Sequence, residues 1–266
     1  MSDQPVPILM YHSVAAAPNE ATRALSVAPE AFSEQMALLA DLKFTPVTTA
    51  GLARSWREGG PLPERPVLIT FDDGYEGVHR HALAVLARHG FASTLFVSTG
   101  WIRGAHDTGG GLDTMLDWHQ VRDLVDAGVE IGGHSHTHPQ LDQLPDDALW
   151  FELLRCKEII ADQLGARPVS FAYPYGYSSR RVRRIVREAG FGQSLAVGNA
   201  LARRRQGPYA LQRVTVRRTT GVEEFERLVQ GRAITRTFAR DRALTKGYAM
   251  VRRARQVRRK AIRSRV

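Results

Sequence analysis

Residues 66–99, PVLITFDDGYEGVHRHALAVLARHGFASTLFVST, decide the fold. A β-branched apolar run, PVLITF, stops at Asp72, Asp73 and Gly74. A helical pattern, EGVHRHALAVLARHGF, comes next, and a second apolar run, STLFVST, follows the helix. Two strands joined through a helix by short connections lie parallel in one covered sheet. The stretch also poses a chemical question, because two adjacent carboxylates at the end of a buried strand repel one another and are costly to desolvate. A bound cation is one answer.

The same unit recurs on both sides. Upstream, PVPILMYHSV precedes the helical PEAFSEQMALLADLKF. Downstream come DWHQVRDLVDAG, VEIGGHSHTH, the amphipathic DDALWFELLRCKEIIADQLG, PVSFAYPYG, SSRRVRRIVREAGF, QSLAVG and LQRVTV. Strand and helix alternate about seven times, which predicts an α/β fold, either a doubly wound sheet or a (β/α) barrel. Helices are expected to stop at Gly90, Gly128, Gly165 and Gly190, where the left-handed backbone of a helix end favours glycine. The glycine-rich GAHDTGGGLDTM lacks the lysine of a phosphate-binding loop and reads as a surface loop.

With 43% apolar residues, the 266-residue chain can bury a substantial core. Its one cysteine, Cys156, excludes an internal disulfide and a cysteine-based zinc site, and its place in an amphipathic helix predicts a buried, inert thiol. The N-terminal MSDQPVPILMYHSV has no basic-then-apolar leader pattern, and no run reaches the length of a membrane span. The expected location is therefore the cytoplasm.

Charge divides the chain into a body, 1–230, and a basic tail, 231–266. The tail holds 13 Lys and Arg against one acid, Asp241, so of the net +10 it contributes +12 and the body about −2. A helical tail with a thin apolar stripe, Val251, Ala254, Val257 and Ala261, suits an anionic membrane surface through residues 232–266, peripheral at the inner face. A solvated, frayed tail is the alternative. Nucleic-acid binding is the reading from a different class, and the nearly neutral body offers it no basic face.

Polar residues concentrate at the C-terminal ends of predicted strands: His12, Asp72 and Asp73, His134 and His138, then Tyr175 and Gly176. In a (β/α) barrel these ends open onto one face, where such folds build their sites. His134 and His138 share a face, and two imidazoles with one carboxylate form a three-ligand metal set. His136 is a competing third ligand, with Asp73 preferred. Side chains alternate along a strand, so one Asp of the pair can bind the cation while the other acts as base.

TFDDG (70–74), HSHTH (134–138) and YPYG (173–176) resemble, in order and spacing, the motifs of the NodB-type polysaccharide deacetylases, carbohydrate esterase family 4. The resemblance covers about residues 5–230. It implies a distorted (β/α)7 barrel, a divalent metal that is usually zinc, with Co, Ni or Mn accepted by the same donors, and hydrolysis of N-acetyl groups on amino sugars. It makes Asp72 the general base and Asp73, His134 and His138 the metal ligands. It places the oxyanion near the Tyr175 N–H in a loop shaped by Pro174 and Gly176.

Two positions depart from the family pattern. The family Arg that pairs with the base is replaced by Ala172, and no histidine follows His138. Both departures resemble the branch that de-N-acetylates poly-β-1,6-N-acetylglucosamine, in which the acid histidine lies at the first strand. Here that residue is His12. Trp118 resembles an aromatic near the site of that branch and stacks on a sugar in one reading; in the other it is a core aromatic at a helix start. Asp117 beside it reads as a helix N-cap. The rival functions are hydrolysis of another amide or small glycoside, a metal-binding pseudoenzyme, and a polyanion-binding protein acting through its tail.

Overall fold

The computed structural model of the chain describes residues 4–244, 247, 248 and 252. All seven expected strands are present: β1 Ile8–Tyr11, β2 Pro66–Phe71, β3 Thr94–Val97, β4 Glu130–Gly133, β5 Ser170–Ala172, β6 Gln193–Leu195 and β7 Val214–Thr215. They form a parallel sheet in the order β7-β1-β2-β3-β4-β5-β6, with the short Thr45–Pro46 segment paired beside β2. The sheet curls into the distorted barrel that the family resemblance implies. β6 and β7 do not close it by a regular ladder. The seam is crossed by the Leu195–Leu211 bridge, where the Ala196 N–H donates to the Leu211 carbonyl at 2.8 Å.

The strand alternation sorts side chains into two cores. Leu9, Tyr11, Ile69, Phe71, Leu95 and Val97 face outward, where Phe32, Met36 and Leu39 of helix α1 (Pro29–Asp41) cover them. Ile8, Leu68, Phe96, Ala172 and Leu195 fill the barrel interior. In β2 every residue is buried, as a central parallel strand requires. Its inward parity runs through Leu68 and Thr70 and arrives at Asp72.

The remaining main helices are α2 Thr49–Glu58, α3 Leu83–His89, α4 Trp118–Asp126, α5 Asp146–Leu164, α6 Arg180–Glu188 and α7 Val222–Val229. Gly90, Gly128, Gly165 and Gly190 all have positive φ at helix ends. Asp117 caps α4 in a reciprocal capping box with Gln120. Cys156 is fully buried and burial pushes its thiol pKa up to about 12.

Beyond α7, Ile234 and Phe238 bury themselves against Val214 and Leu228, and residues 239–244 are helical. The stripe Val251, Ala254, Val257 and Ala261 lies outside the described residues. Among the described residues no helix is long and apolar enough to cross a membrane.

Candidate active site

A cleft of about 790 Å3 opens at the C-terminal ends of the strands. It brings together His12, Asp72, Asp73, His134, His138, Tyr175 and Gly176. Pro174 is buried.

Asp72 continues the inward parity of β2 and meets Arg213, which immediately precedes β7. The two guanidinium nitrogens of Arg213 donate to the two carboxylate oxygens of Asp72, each at 2.7 Å. Arg213 also donates to Thr70 Oγ1 at 3.3 Å and, across the barrel seam, to the Ala196 carbonyl at 3.3 Å. Its side chain is 0% exposed and that of Asp72 3%, so neither charge is left to solvent. Burial pushes the Asp72 pKa upward, but Arg213, with His134 and His12, outweighs it and holds the carboxyl below its ordinary value. The cation absent at Ala172 is thus supplied from another strand. Ala172 contributes its backbone instead.

Asp73 turns the other way because its backbone is left-handed, with φ 75°. Gly74 follows at φ 100°, where an added Cβ would lie 2.5 Å from Ile102 Cδ1. Asp73 Oδ1 stands 3.3 Å from His134 Nε2 and 3.3 Å from His138 Nε2. Tyr75 stands near the same carboxylate, and its own pKa is raised, first by burial and then by that charge. Burial opposes ionisation of Asp73, yet the two imidazoles win and keep its pKa well below the carboxylate range.

The histidine tautomer is fixed by a carbonyl. His134 Nδ1 lies 2.8 Å from the Ala172 oxygen, which can only accept, so Nδ1 carries the proton. Nε2 therefore faces Asp73 as a lone pair unless a cation or a second proton intervenes. Asp73 Oδ1 is buried without a hydrogen-bond partner, and the donor atoms of Asp73, His134 and His138 all lie within 4.8 Å of one another. One carboxylate and two imidazoles around a shared point are a donor set that fits a divalent metal. The pKa of His134 is raised: burial lowers it, and Asp72 and Asp73 more than compensate.

The HSHTH loop positions its histidines through strained backbone and an acid behind it. Ser135 and His138 have φ of 67° and 59°, costly for non-glycine residues and concentrated here beside Asp73 and Tyr175. Ser135 Oγ accepts from the His138 N–H at 3.0 Å. Glu152, buried on α5, accepts from the N–H groups of His136 and Thr137 at 2.8 Å each and from the Thr137 hydroxyl at 2.5 Å. His136 points away from the metal set, with Nδ1 3.0 Å from Thr99 Oγ1 and its ring edge-on to Phe151.

His12 follows β1, partly open to the cleft, with Nδ1 unpartnered. Burial lowers its pKa against the opposing pull of Asp73 and Asp72. Tyr175, at φ 59°, presents a 53% exposed ring that packs on His138 at 4.7 Å. Gly176 must be glycine, since a Cβ at its φ of 72° would lie 2.5 Å from Val197 Cβ.

Trp118 is the correction. It is 5% exposed, packed in the outer core with Leu116 and Val121, and does not line the cleft. Its position as the first residue of α4, anchored by the Asp117 cap, turns it inward. Trp101 lines the cleft instead, its ring 4.6 Å from that of His138.

Residues 59–194, just over half of the chain, match the sequence profile of the polysaccharide deacetylases. The Bacillus subtilis protein YxkH is 26% identical over 211 residues, 79% of this chain and 71% of its own length. The poly-β-1,6-N-acetyl-D-glucosamine N-deacetylase of Escherichia coli is 22% identical over 238 residues, 76% of this chain but 35% of that longer protein. The Streptococcus pyogenes deacetylase PplD, solved in complex with acetate, shares the fold with a TM-score of 0.77 at 22% identity, covering 86% of this chain and 99% of PplD.

Proposed function

The chain belongs to the polysaccharide deacetylase family, and from this we propose that it hydrolyses N-acetyl groups of amino sugars in a glycan. Asp72 is the base, His12 the acid, and Asp73, His134 and His138 hold a divalent metal. The observation that carries this reading is the division of the Asp pair: Asp72 is neutralised from within the barrel, while Asp73 faces two imidazoles with an unpartnered oxygen. A metal held by the second set, zinc in our reading, supplies Lewis acidity and a lowered pKa for water.

The protein's own groups supply the rest. Arg213 keeps Asp72 ionised and fixed, and a carboxylate bound through two of its four lone-pair sites still accepts a proton from an attacking water. His12 delivers a proton to the sugar amine as the C–N bond breaks, so acetate and a free amine leave. The backbone N–H of Tyr175, at the cleft mouth beside Gly176, donates to the developing oxyanion. The exposed Tyr175 ring offers a sugar a stacking face.

We favour β-1,6-linked N-acetylglucosamine as the substrate, because the chain matches an enzyme named for that polymer. Acetate release from β-1,6 and β-1,4 oligomers, with added zinc or chelator and beside Asp72→Asn, tests the reading. Metal-dependent release that is lost in the variant and faster on the β-1,6 oligomer is expected. Release indifferent to metal or to Asp72 overturns the assignment, and metal binding without release moves it to another amide.

A further inference from the structure

Among the described residues, a strongly charged feature outside the cleft is α6, whose sequence RRVRRIVRE carries five Arg and one Glu. Val182, Ile185 and Val186 bury one side of it. Arg181 is tied down by Asp146 and the Leu144 carbonyl. The other four, Arg180, Arg183, Arg184 and Arg187, line one shallow concavity of about 280 Å3 with Tyr209.

Their spacing makes four like-charged pairs at i,i+3 or i,i+4, an arrangement that destabilises a helix on its own. Among the described residues, Arg184 alone of the four has an acid nearby, Glu188 at 3.2 Å and exposed, while Arg183 donates to the Ser178 carbonyl. Because the first 230 residues carry about −2 in all, this cationic stripe is local and stands on an otherwise acidic body.

Two further observations indicate the partner. Arg252 of the basic tail sits beside the stripe: it lines a neighbouring concavity with Arg183, stacks 3.3 Å over the Tyr177 ring and pairs with Asp142 at 2.9 Å. Seven more cations and no acid follow it in the chain. The tail between the body and Arg252 turns two large apolar side chains outward, Leu244 and Tyr248, 52% and 59% exposed. Guanidinium groups with outward Leu and Tyr match phosphate headgroups over an apolar layer, whereas nucleic acid has no use for the leucine.

We propose that α6 and the tail residues Leu244, Tyr248 and Arg252 form a docking face for an anionic phospholipid surface. Gly176 borders both this face and the cleft, so the bound protein holds its cleft mouth beside the membrane. The reading does not depend on which reaction the cleft performs.

Co-sedimentation of the full chain with phosphatidylcholine vesicles, with and without phosphatidylglycerol, tests it at about 0.1 M salt, where the Debye length is about 10 Å. Each Arg near such a surface contributes about 1 kcal/mol, so the variant R180Q/R183Q/R184Q/R187Q should bind anionic vesicles at least about tenfold more weakly. L244S/Y248S should weaken binding severalfold, and both variants should retain the wild-type circular dichroism spectrum and melting point within a few degrees. No wild-type binding, equal binding to neutral vesicles, or unimpaired binding by the Arg variant overturns the proposal. Should that variant instead lose affinity only for a short DNA duplex, the face belongs to nucleic acid.

Discussion

The barrel interior beneath Asp72 and the ring of loops around Asp73 meet one problem, a buried carboxylate, by opposite means. Inside the barrel the charge is compensated by Arg213, a residue of the same chain held by the same core. In the loops the charge faces two imidazoles that share one oxygen and leave it without a hydrogen bond. The first region is complete as folded; the second is shaped for a visitor. One peptide bond separates them, and the left-handed turn at Asp73 is what sends the neighbours into different environments.

The largest test of this contrast is Arg213→Met. Removing one partner of a fully buried pair leaves an uncompensated charge, and we expect a loss of about 3–5 kcal/mol in urea unfolding. Arg213→Lys should recover part of the stability without the two-pronged geometry. If Arg213→Met is as stable as wild type, Asp72 is not held from below and the contrast collapses.

The Asp73 region should respond to ligand instead. Zinc at a thousand times its Kd is expected to stabilise the protein by about 4 kcal/mol, read as a rise in Tm that chelator reverses. His138→Ala should abolish that rise while Arg213→Lys keeps it. A smaller effect is expected at Glu152→Gln, which loosens the loop rather than removing a ligand: about 10–100-fold weaker metal binding, with kcat at saturating metal close to wild type. Equal losses of kcat and affinity would instead place Glu152 in the chemistry.

The two tryptophans give a finer discrimination. Trp101→Ala should raise KM, and Trp118→Phe should leave KM unchanged at a modest cost in stability. Smallest of all is the response of Cys156. With its pKa pushed up to about 12, the native thiol should stay unalkylated at about pH 8 until the protein unfolds, as mass spectrometry would report.

Much of this was legible because barrels advertise their sites at strand ends. The seven apolar runs gave the seven strands, and the residues following them, His12, Asp72, Asp73, His134, Tyr175, converge in one cleft. What stayed hidden broke that rule. Arg213 stands before its strand, reaches Asp72 across 141 residues of sequence, and in LQRVTVRR looks like any other basic residue. Glu152 belongs to a helix pattern in which an acid normally faces water. α2 escaped notice because it buries just Thr49 and Leu52 and has Gly51 inside it. For Trp118 likeness and helix geometry compete, and the Asp117 cap decides for the core.

The position of Arg213 has a consequence for how the protein is made. A ribosome releases the Asp pair and the histidine loop long before it reaches the last strand, and a chain halted at about residue 210 holds Asp72, Asp73, His134 and His138 but not the counter-charge of Asp72. In the function proposed above, an unfinished chain would therefore carry its metal-binding side chains before its base is held, a sequestering fragment rather than a premature hydrolase.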